Sequence, residues 1–211
     1  MSDKKKTEGL AGVTAGKTEL CTVGKEGAGL TYRGYDIYDL VEKAGFEEVA
    51  HLLLYGRLPT AVELGAYAEK LQSLRGLPTK LKTILELIPP DAHPMDVLRT
   101  GVSFLGNIEP EIDFSCQFDT ADRLLACLPS MLLYWHRFHT DGVRIETETE
   151  DNSIAGHFLN MLHDQAPSEQ HRKCLDTTLI LYAEHEFNAS TFAGRVITGT
   201  LSDMHSAVSG A

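Results

Sequence analysis

The polar cluster in residues 182–192 (YAEHEFNASTF) carries the side chains best suited to bind a small anionic substrate. His185 stands between Glu184 and Glu186, and Asn188 follows three residues later. Nearby carboxylates favour the protonated form of an imidazole, and both an imidazolium and an amide donate hydrogen bonds. His185 and Asn188 could therefore hold the carboxylate or carbonyl oxygens of a keto acid. A helix end with a capping asparagine and a hydrogen-bonded histidine explains the same spacing without any ligand.

Three other patterns suggest chemistry, but each lacks a part that the chemistry needs. Residues 12–18 (GVTAGKT) resemble a phosphate-binding loop, yet Ala11 replaces its first glycine and a charged tail replaces the buried strand before it. Two histidine pairs fall short of the three or four convergent ligands that zinc needs: His136 with His139, and His157 with His163. The sequence has no GxSxG nucleophile elbow. We therefore predict no metal and no cofactor.

The composition is that of an ordinary globular protein with an acidic surface. Among 211 residues, 43% are hydrophobic, 19 are Lys or Arg and 30 are Asp or Glu, which gives a net charge of -11. This charge repels phosphate backbones and disfavours nucleic-acid or anionic-membrane partners. The four cysteines form no CxxC pair, and no apolar segment is long enough to be a signal peptide or a membrane span. We expect reduced thiols and a cytoplasmic location.

The elements that position the polar cluster are almost all helical. Two short apolar runs, around residues 20–23 and 30–32, flank a glycine-containing turn and predict a small hairpin. Apolar residues then recur at helical spacing, with Asp36 and the Thr60/Glu63 capping box as helix starts and Gly45 as the end of the first helix. Pro129 should kink or split a long helix. We predict an all-α fold with a small N-terminal β-hairpin.

The two ends of the chain carry further expectations. Residues 1–19 are predicted to form a flexible tail, and residues 20–211 to form the N-terminal part of a large helical domain. Ser202 or Asp203 can cap a last helix that has only about two turns before Ala211. We expect a chain that is truncated within a helix.

Four ordered blocks resemble the citrate synthase family. They are residues 30–40 (LTYRGYDIYDL), 48–60 (EVAHLLLYGRLPT), 93–103 (HPMDVLRTGVS) and 182–192 (YAEHEFNASTF). Within that family the sequence is most similar to the 2-methylcitrate synthases. The features that favour this subfamily are Glu184 and Phe187, Asp96, and the block 132–135 (LLYW).

The resemblance implies a homodimeric, mainly helical acyltransferase that joins an acyl-CoA thioester to oxaloacetate, with acyl-CoA as a co-substrate and no metal. Propanoyl-CoA would give 2-methylcitrate. His185 matches the family histidine that hydrogen-bonds oxaloacetate, and Asn188 matches the asparagine beside it. No catalytic residue is assigned in this chain, because the two catalytic histidines and the catalytic aspartate of the family are expected beyond Ala211. The 211-residue chain alone is therefore predicted to be inactive.

Two alternatives to this function stay open. A citrate synthase that uses acetyl-CoA would carry close variants of the same four blocks. A short natural gene could instead encode a non-catalytic helical module for dimerisation, although such a remnant would have no need of the polar cluster around His185.

Overall fold

A computed structural model describes residues 16–24 and 29–211. Most of the predicted tail, residues 1–19, and most of the segment 12–18 that resembles a phosphate loop lie outside the described residues. The described part contains three strands, ten α-helices and a 3₁₀ turn at Phe114–Cys116: β1 Cys21–Val23, β2 Leu30–Tyr32, β3 Tyr35–Asp36, α1 Ile37–Lys43, α2 Phe46–Tyr55, α3 Ala61–Ser73, α4 Thr79–Leu87, α5 Pro94–Ile108, α6 Gln117–Asp141, α7 Ile154–His163, α8 Glu169–Tyr182, α9 Ala189–Thr198 and α10 Met204–Gly210.

The predicted hairpin is present and gains a third strand. β1 pairs with β2 antiparallel, with Cys21 opposite Tyr32, and β2 pairs with β3 across the turn at residues 33–34. Cys21 and Tyr32 are both buried, so one face of the sheet packs against the helices. The all-α prediction is confirmed, because these strands are a minor addition to a helical chain.

Side chains close in sequence fix where most helices begin. Asp36 and Thr60 accept hydrogen bonds from the first-turn amides of α1 and α3, and Glu63 completes the predicted capping box. Asp203, one of the two predicted caps, begins α10 by accepting a hydrogen bond from the backbone of Ser206.

Gly45 has the predicted position just after α1, and Pro129 does not divide its helix. Gly45 follows Ala44, the C-cap of α1, and the same glycine is also the N-cap of α2. Pro129 does not split its helix, since α6 runs unbroken from Gln117 to Asp141. Burial of Ala126, Cys127, Ser130 and Met131 around this proline holds the helix together despite the missing amide donor.

Two clusters of buried apolar side chains form the core, and α6 contributes to both. The sheet-side cluster joins the strands to α1, α2, α3 and α8, with Tyr32, Leu52, Leu71 and Ile180 completely buried and Ala126 supplied by α6. The central cluster packs α4 and α5 against α6 through Leu81, Leu85, Leu105, Met131 and Trp135. Each such side chain contributes about 1.5–3 kcal/mol of burial free energy.

A completely buried arginine orders the connection between α6 and α7. The Arg75 guanidinium donates to the backbone carbonyl oxygens of Asp151 and Ser153, the latter at 3.0 Å. Thr147 from the same connection accepts a hydrogen bond from the Leu77 amide at 3.1 Å. This connection is thus irregular in conformation but anchored to the core.

Candidate functional site

The polar cluster forms the connection between α8 and α9. α8 ends at Tyr182, and Asn188 is the N-cap of α9, so His185 lies at the centre of a short irregular segment. His185 is exposed, and within the described residues no hydrogen bond or ion pair involves its ring nitrogens. The imidazole is therefore available to a ligand, and the expectation of a hydrogen-bonded structural histidine is not met.

The hydroxyl of Tyr32 connects the sheet to the backbone just before His185. It donates to the carbonyl oxygen of Ile180 at 2.9 Å, and it accepts a hydrogen bond from the Glu184 amide at 3.3 Å. Tyr32 is completely buried, and burial raises the pKa of its phenol. The hydroxyl therefore stays neutral and can act as donor and acceptor together.

Glu186 connects the sheet to the backbone just after His185. Its amide donates to the Cys21 sulfur at 3.1 Å, and its carboxylate oxygen Oε1 accepts a hydrogen bond from the Val23 amide at 3.2 Å. The backbone of Glu186 has φ +56°, in the left-handed region that few non-glycine residues adopt. Both of these contacts hold the residue in that unfavourable conformation.

Neither of the two carboxylates beside His185 forms an ion pair with its ring within the described residues. Glu184 is half-buried, and its Oε1 has no hydrogen-bond partner among the described residues. Burial raises the pKa of Glu184, and the Arg195 guanidinium partly opposes this effect. The Glu186 carboxylate accepts a hydrogen bond from the Val23 amide of β1.

Asn188 combines a structural role with a free donor. Its Oδ1 accepts a hydrogen bond from the Thr191 amide at 2.9 Å, which is the predicted helix cap. The side chain is exposed, and its Nδ2 group remains as a donor beside His185 in sequence. The structure thus places both predicted substrate-binding residues, His185 and Asn188, on one exposed connection, and their substrate contacts remain a prediction.

The Phe187 ring packs against the side chain of Arg195 from α9. The Arg195 guanidinium carbon lies 4.6 Å from the centroid of the Phe187 ring. On the other side, a Cβ added at Gly16 would lie 3.0 Å from that ring, so a side chain there would press against Phe187. The residues before β1 therefore also lie close to this connection.

The histidines weighed as metal ligands lie apart from this segment. His136 contacts Thr140 within α6, and His157 is buried between Ser130 and Thr149. Within residues 16–24 and 29–211, no three His, Cys, Asp or Glu side chains converge closely enough to hold a metal ion. No helix in that part of the chain is long and apolar enough to cross a membrane.

Sequence reasoning missed the roles of Tyr32 and Glu186. Tyr32 lies 152 residues from Glu184, and Cys21 lies 165 residues from Glu186, so no local pattern links them. The resemblance did include both residues in its blocks, but it gave them no role.

Comparison with known proteins agrees with this architecture. A 2-methylcitrate synthase from Shewanella oneidensis is 62% identical over 213 residues, covering the whole of this chain and 57% of that protein. The crystal structure of citrate synthase from Thermotoga maritima superposes with a TM-score of 0.85 at 33% identity, covering 96% of this chain and 53% of that one.

The second solved structure is a ternary complex of carboxymethyl coenzyme A and oxaloacetate with citrate synthase from the archaeon Thermoplasma acidophilum. It superposes with a TM-score of 0.86 at 29% identity, over 95% of this chain and 53% of that one. The chain spans about half the length of the curated relatives it matches. The model of the family described as "Citrate synthase, C-terminal domain" matches residues 9–211. The chain therefore belongs to the citrate synthase family.

Proposed function

We propose that the protein carrying this chain condenses propanoyl-CoA with oxaloacetate and water to give 2-methylcitrate and free CoA. The new bond joins the α-carbon of the propanoyl group to the carbonyl carbon of oxaloacetate, and hydrolysis of the thioester releases the CoA thiol. The 62% identity to a 2-methylcitrate synthase supports this choice of acyl group. The observation that carries the role of this chain is the exposed imidazole of His185, whose ring nitrogens bond to no group in the described part of the chain.

His185 and Asn188 are proposed to bind oxaloacetate rather than to transfer its protons. A ring N–H of His185 and the Asn188 Nδ2 group supply donors to the substrate's anionic oxygens, and hydrogen bonds to an ionised acceptor are about twice as strong as neutral ones. Donors fixed at a carbonyl oxygen also stabilise the negative charge that develops there when the carbon is attacked. The base that removes the α-proton is not assigned to any residue of this chain.

A citrate synthase reaction with acetyl-CoA is the second candidate. Both superposed crystal structures are citrate synthases, which supports it, at 33% and 29% identity. Initial rates of CoA release by the complete protein, with each thioester and saturating oxaloacetate, separate the two. We expect a higher kcat/KM for propanoyl-CoA; a higher value for acetyl-CoA would overturn the proposal and place the protein in the tricarboxylic acid cycle instead of propionate catabolism.

The role of His185 is tested by substitution. We expect His185→Ala to raise the KM for oxaloacetate by about 10- to 100-fold, the effect of one or two lost charge-assisted hydrogen bonds, with a smaller effect on the KM for propanoyl-CoA. His171→Ala is the matched control, because His171 is exposed on the first turn of α8. An unchanged KM for oxaloacetate in His185→Ala would remove this residue from the site.

We also propose a homodimer in the cytoplasm, with no metal, no nucleic-acid partner and no membrane partner. The net charge of -11 supports the exclusion of polyanionic partners. Light scattering of the purified protein tests the dimer directly: a mass of one chain at micromolar concentration would contradict it. A non-catalytic dimerisation module predicts the same dimer without any CoA release.

A further inference from the structure

The three-stranded sheet holds the backbone on both sides of His185, and the His185 ring bonds to no side chain or backbone group among residues 16–24 and 29–211. Before it, the Glu184 amide donates to the buried Tyr32 hydroxyl at 3.3 Å. After it, the Glu186 amide donates to the Cys21 sulfur at 3.1 Å, and the Glu186 carboxylate accepts from the Val23 amide at 3.2 Å. Cys21 and Tyr32 are opposite each other in the register of β1 and β2, so one strand pair supplies both attachments.

These attachments fix the part of the connection next to His185, whereas the Phe187–Arg195 contact and the Asn188 cap fix the part that follows. Glu186 adopts φ +56°, a conformation that costs a non-glycine residue free energy and persists only where its surroundings enforce it. His185 itself is exposed, so packing of its own side chain does not fix its position. Without the sheet, the segment would sample other conformations and the imidazole would have to be ordered when substrate binds.

We propose that Tyr32 and Glu186 are positioning residues that hold His185 in its substrate-binding position. This inference rests on the proposed binding of oxaloacetate by His185. Tyr32 also fixes the end of α8, because the same hydroxyl donates to the Ile180 carbonyl oxygen at 2.9 Å. The sheet thereby sets the direction of the backbone between the end of α8 and His185. Neither side chain touches the substrate; each acts by ordering the histidine in advance.

The first test removes only the Tyr32 hydroxyl. In Tyr32→Phe, we expect amide hydrogen exchange at Glu184 to accelerate at least about tenfold while exchange within α5 stays unchanged, because only the local hydrogen bond is lost. Oxaloacetate titration of the purified full chain, followed by the ring signals of His185, should give a dissociation constant about fivefold weaker than wild type. Tyr38→Phe is the control, because Tyr38 is 80% exposed.

The second test uses Glu186 and does not depend on Tyr32→Phe folding. Glu186→Ala removes the acceptor for the Val23 amide and should weaken oxaloacetate binding about fivefold, whereas Glu186→Gln keeps a carbonyl acceptor and should restore most of the affinity. If the contact were purely structural, oxaloacetate affinity would follow protein stability. The positioning role instead predicts different affinities for Glu186→Ala and Glu186→Gln although their unfolding midpoints agree within error.

The outcomes separate the two proposals. If wild-type protein does not bind oxaloacetate, the proposed function fails, and the exchange rates of Glu184 and Glu186 still report whether the sheet orders the segment. If wild type binds oxaloacetate and both Tyr32→Phe and Glu186→Ala bind it equally well, the positioning proposal is wrong. Faster exchange with unchanged affinity also overturns it, since ordering would then have no bearing on the site.

Discussion

The buried imidazole of His157 makes folding stability depend on pH. His157 is completely buried, with Nε2 at 3.0 Å from the Ser130 hydroxyl and Nδ1 at 3.0 Å from the Thr149 hydroxyl. Ser130 donates its own proton to the Thr147 carbonyl oxygen, so it must accept from Nε2–H, which leaves Nδ1 as the acceptor of a neutral ring. Burial, and next the Arg75 guanidinium, lower the pKa of His157 from 6.5 to about 3.

The sign of the effect follows from proton binding. The unfolded chain binds a proton on this residue below its pKa of 6.5, and the folded chain does so only near 3. The stability that the neutral ring contributes is therefore complete above pH 6.5 and is lost as the pH falls toward 3, by at most about 1.4 kcal/mol per pH unit. Between about pH 7.5 and pH 5, His157 should lower the free energy of unfolding by about 2 kcal/mol.

Urea unfolding of wild type and His157→Gln, followed by helical circular dichroism, measures this term. The variant should lose about 1–3 kcal/mol at pH 7.5, because its amide cannot reproduce both hydrogen bonds. Between pH 7.5 and pH 5 it should then lose about 2 kcal/mol less than wild type, because glutamine does not titrate. Parallel pH profiles for the two proteins would show that His157 is not the acid-sensitive group and would refute the reasoning.

Three further perturbations test other parts of the structure. Asp122→Ala should cost about 3 kcal/mol in urea unfolding, because Tyr55, Tyr67 and Lys70 all donate to this completely buried carboxylate; a cost below about 1 kcal/mol would contradict the hydrogen-bond network. Arg75→Met should speed limited proteolysis between α6 and α7, and cleavage at the wild-type rate would show that the arginine does not anchor that connection. Asn188→Ala should lower the free energy of unfolding by about 1 kcal/mol, because the helix cap is lost. Asn188→Asp should keep the cap but bind oxaloacetate more weakly in calorimetry, because it lacks the Nδ2 donor. Equal oxaloacetate affinity of Asn188→Asp and wild type would exclude that donor from the site.

Sequence reasoning succeeded where the determining residues are close together along the chain. The caps at Asp36 and Thr60 were correct because each cap and its partners lie within four residues. The position of Gly45 just after α1 was also correct, but its second role as the N-cap of α2 was not predicted, because that role depends on where α2 begins. Pro129 does not split α6, because burial on neighbouring turns outweighs its local preference, and the predicted alternative, a kink, stays a prediction.

In the candidate site, too, the features set by neighbouring residues were predictable and the long-range contacts were not. The exposure of His185 and the capping role of Asn188 follow from a local pattern at the end of α8. The contacts of Tyr32 and Glu186 join residues more than 150 positions apart, and the left-handed backbone of Glu186 is not encoded by its residue type. The backbone conformation around His185 therefore becomes understandable only once the sheet has formed.

The continuous helix α6 affects how the protein unfolds. This one helix supplies Ala126 to the sheet-side cluster and Met131 to the central cluster. If either cluster unfolds, α6 therefore loses packing that the other cluster also needs. We expect the described region to behave as a single cooperative unit, so that damage at one end, such as loss of the strands that hold His185, is felt as lower stability at the other.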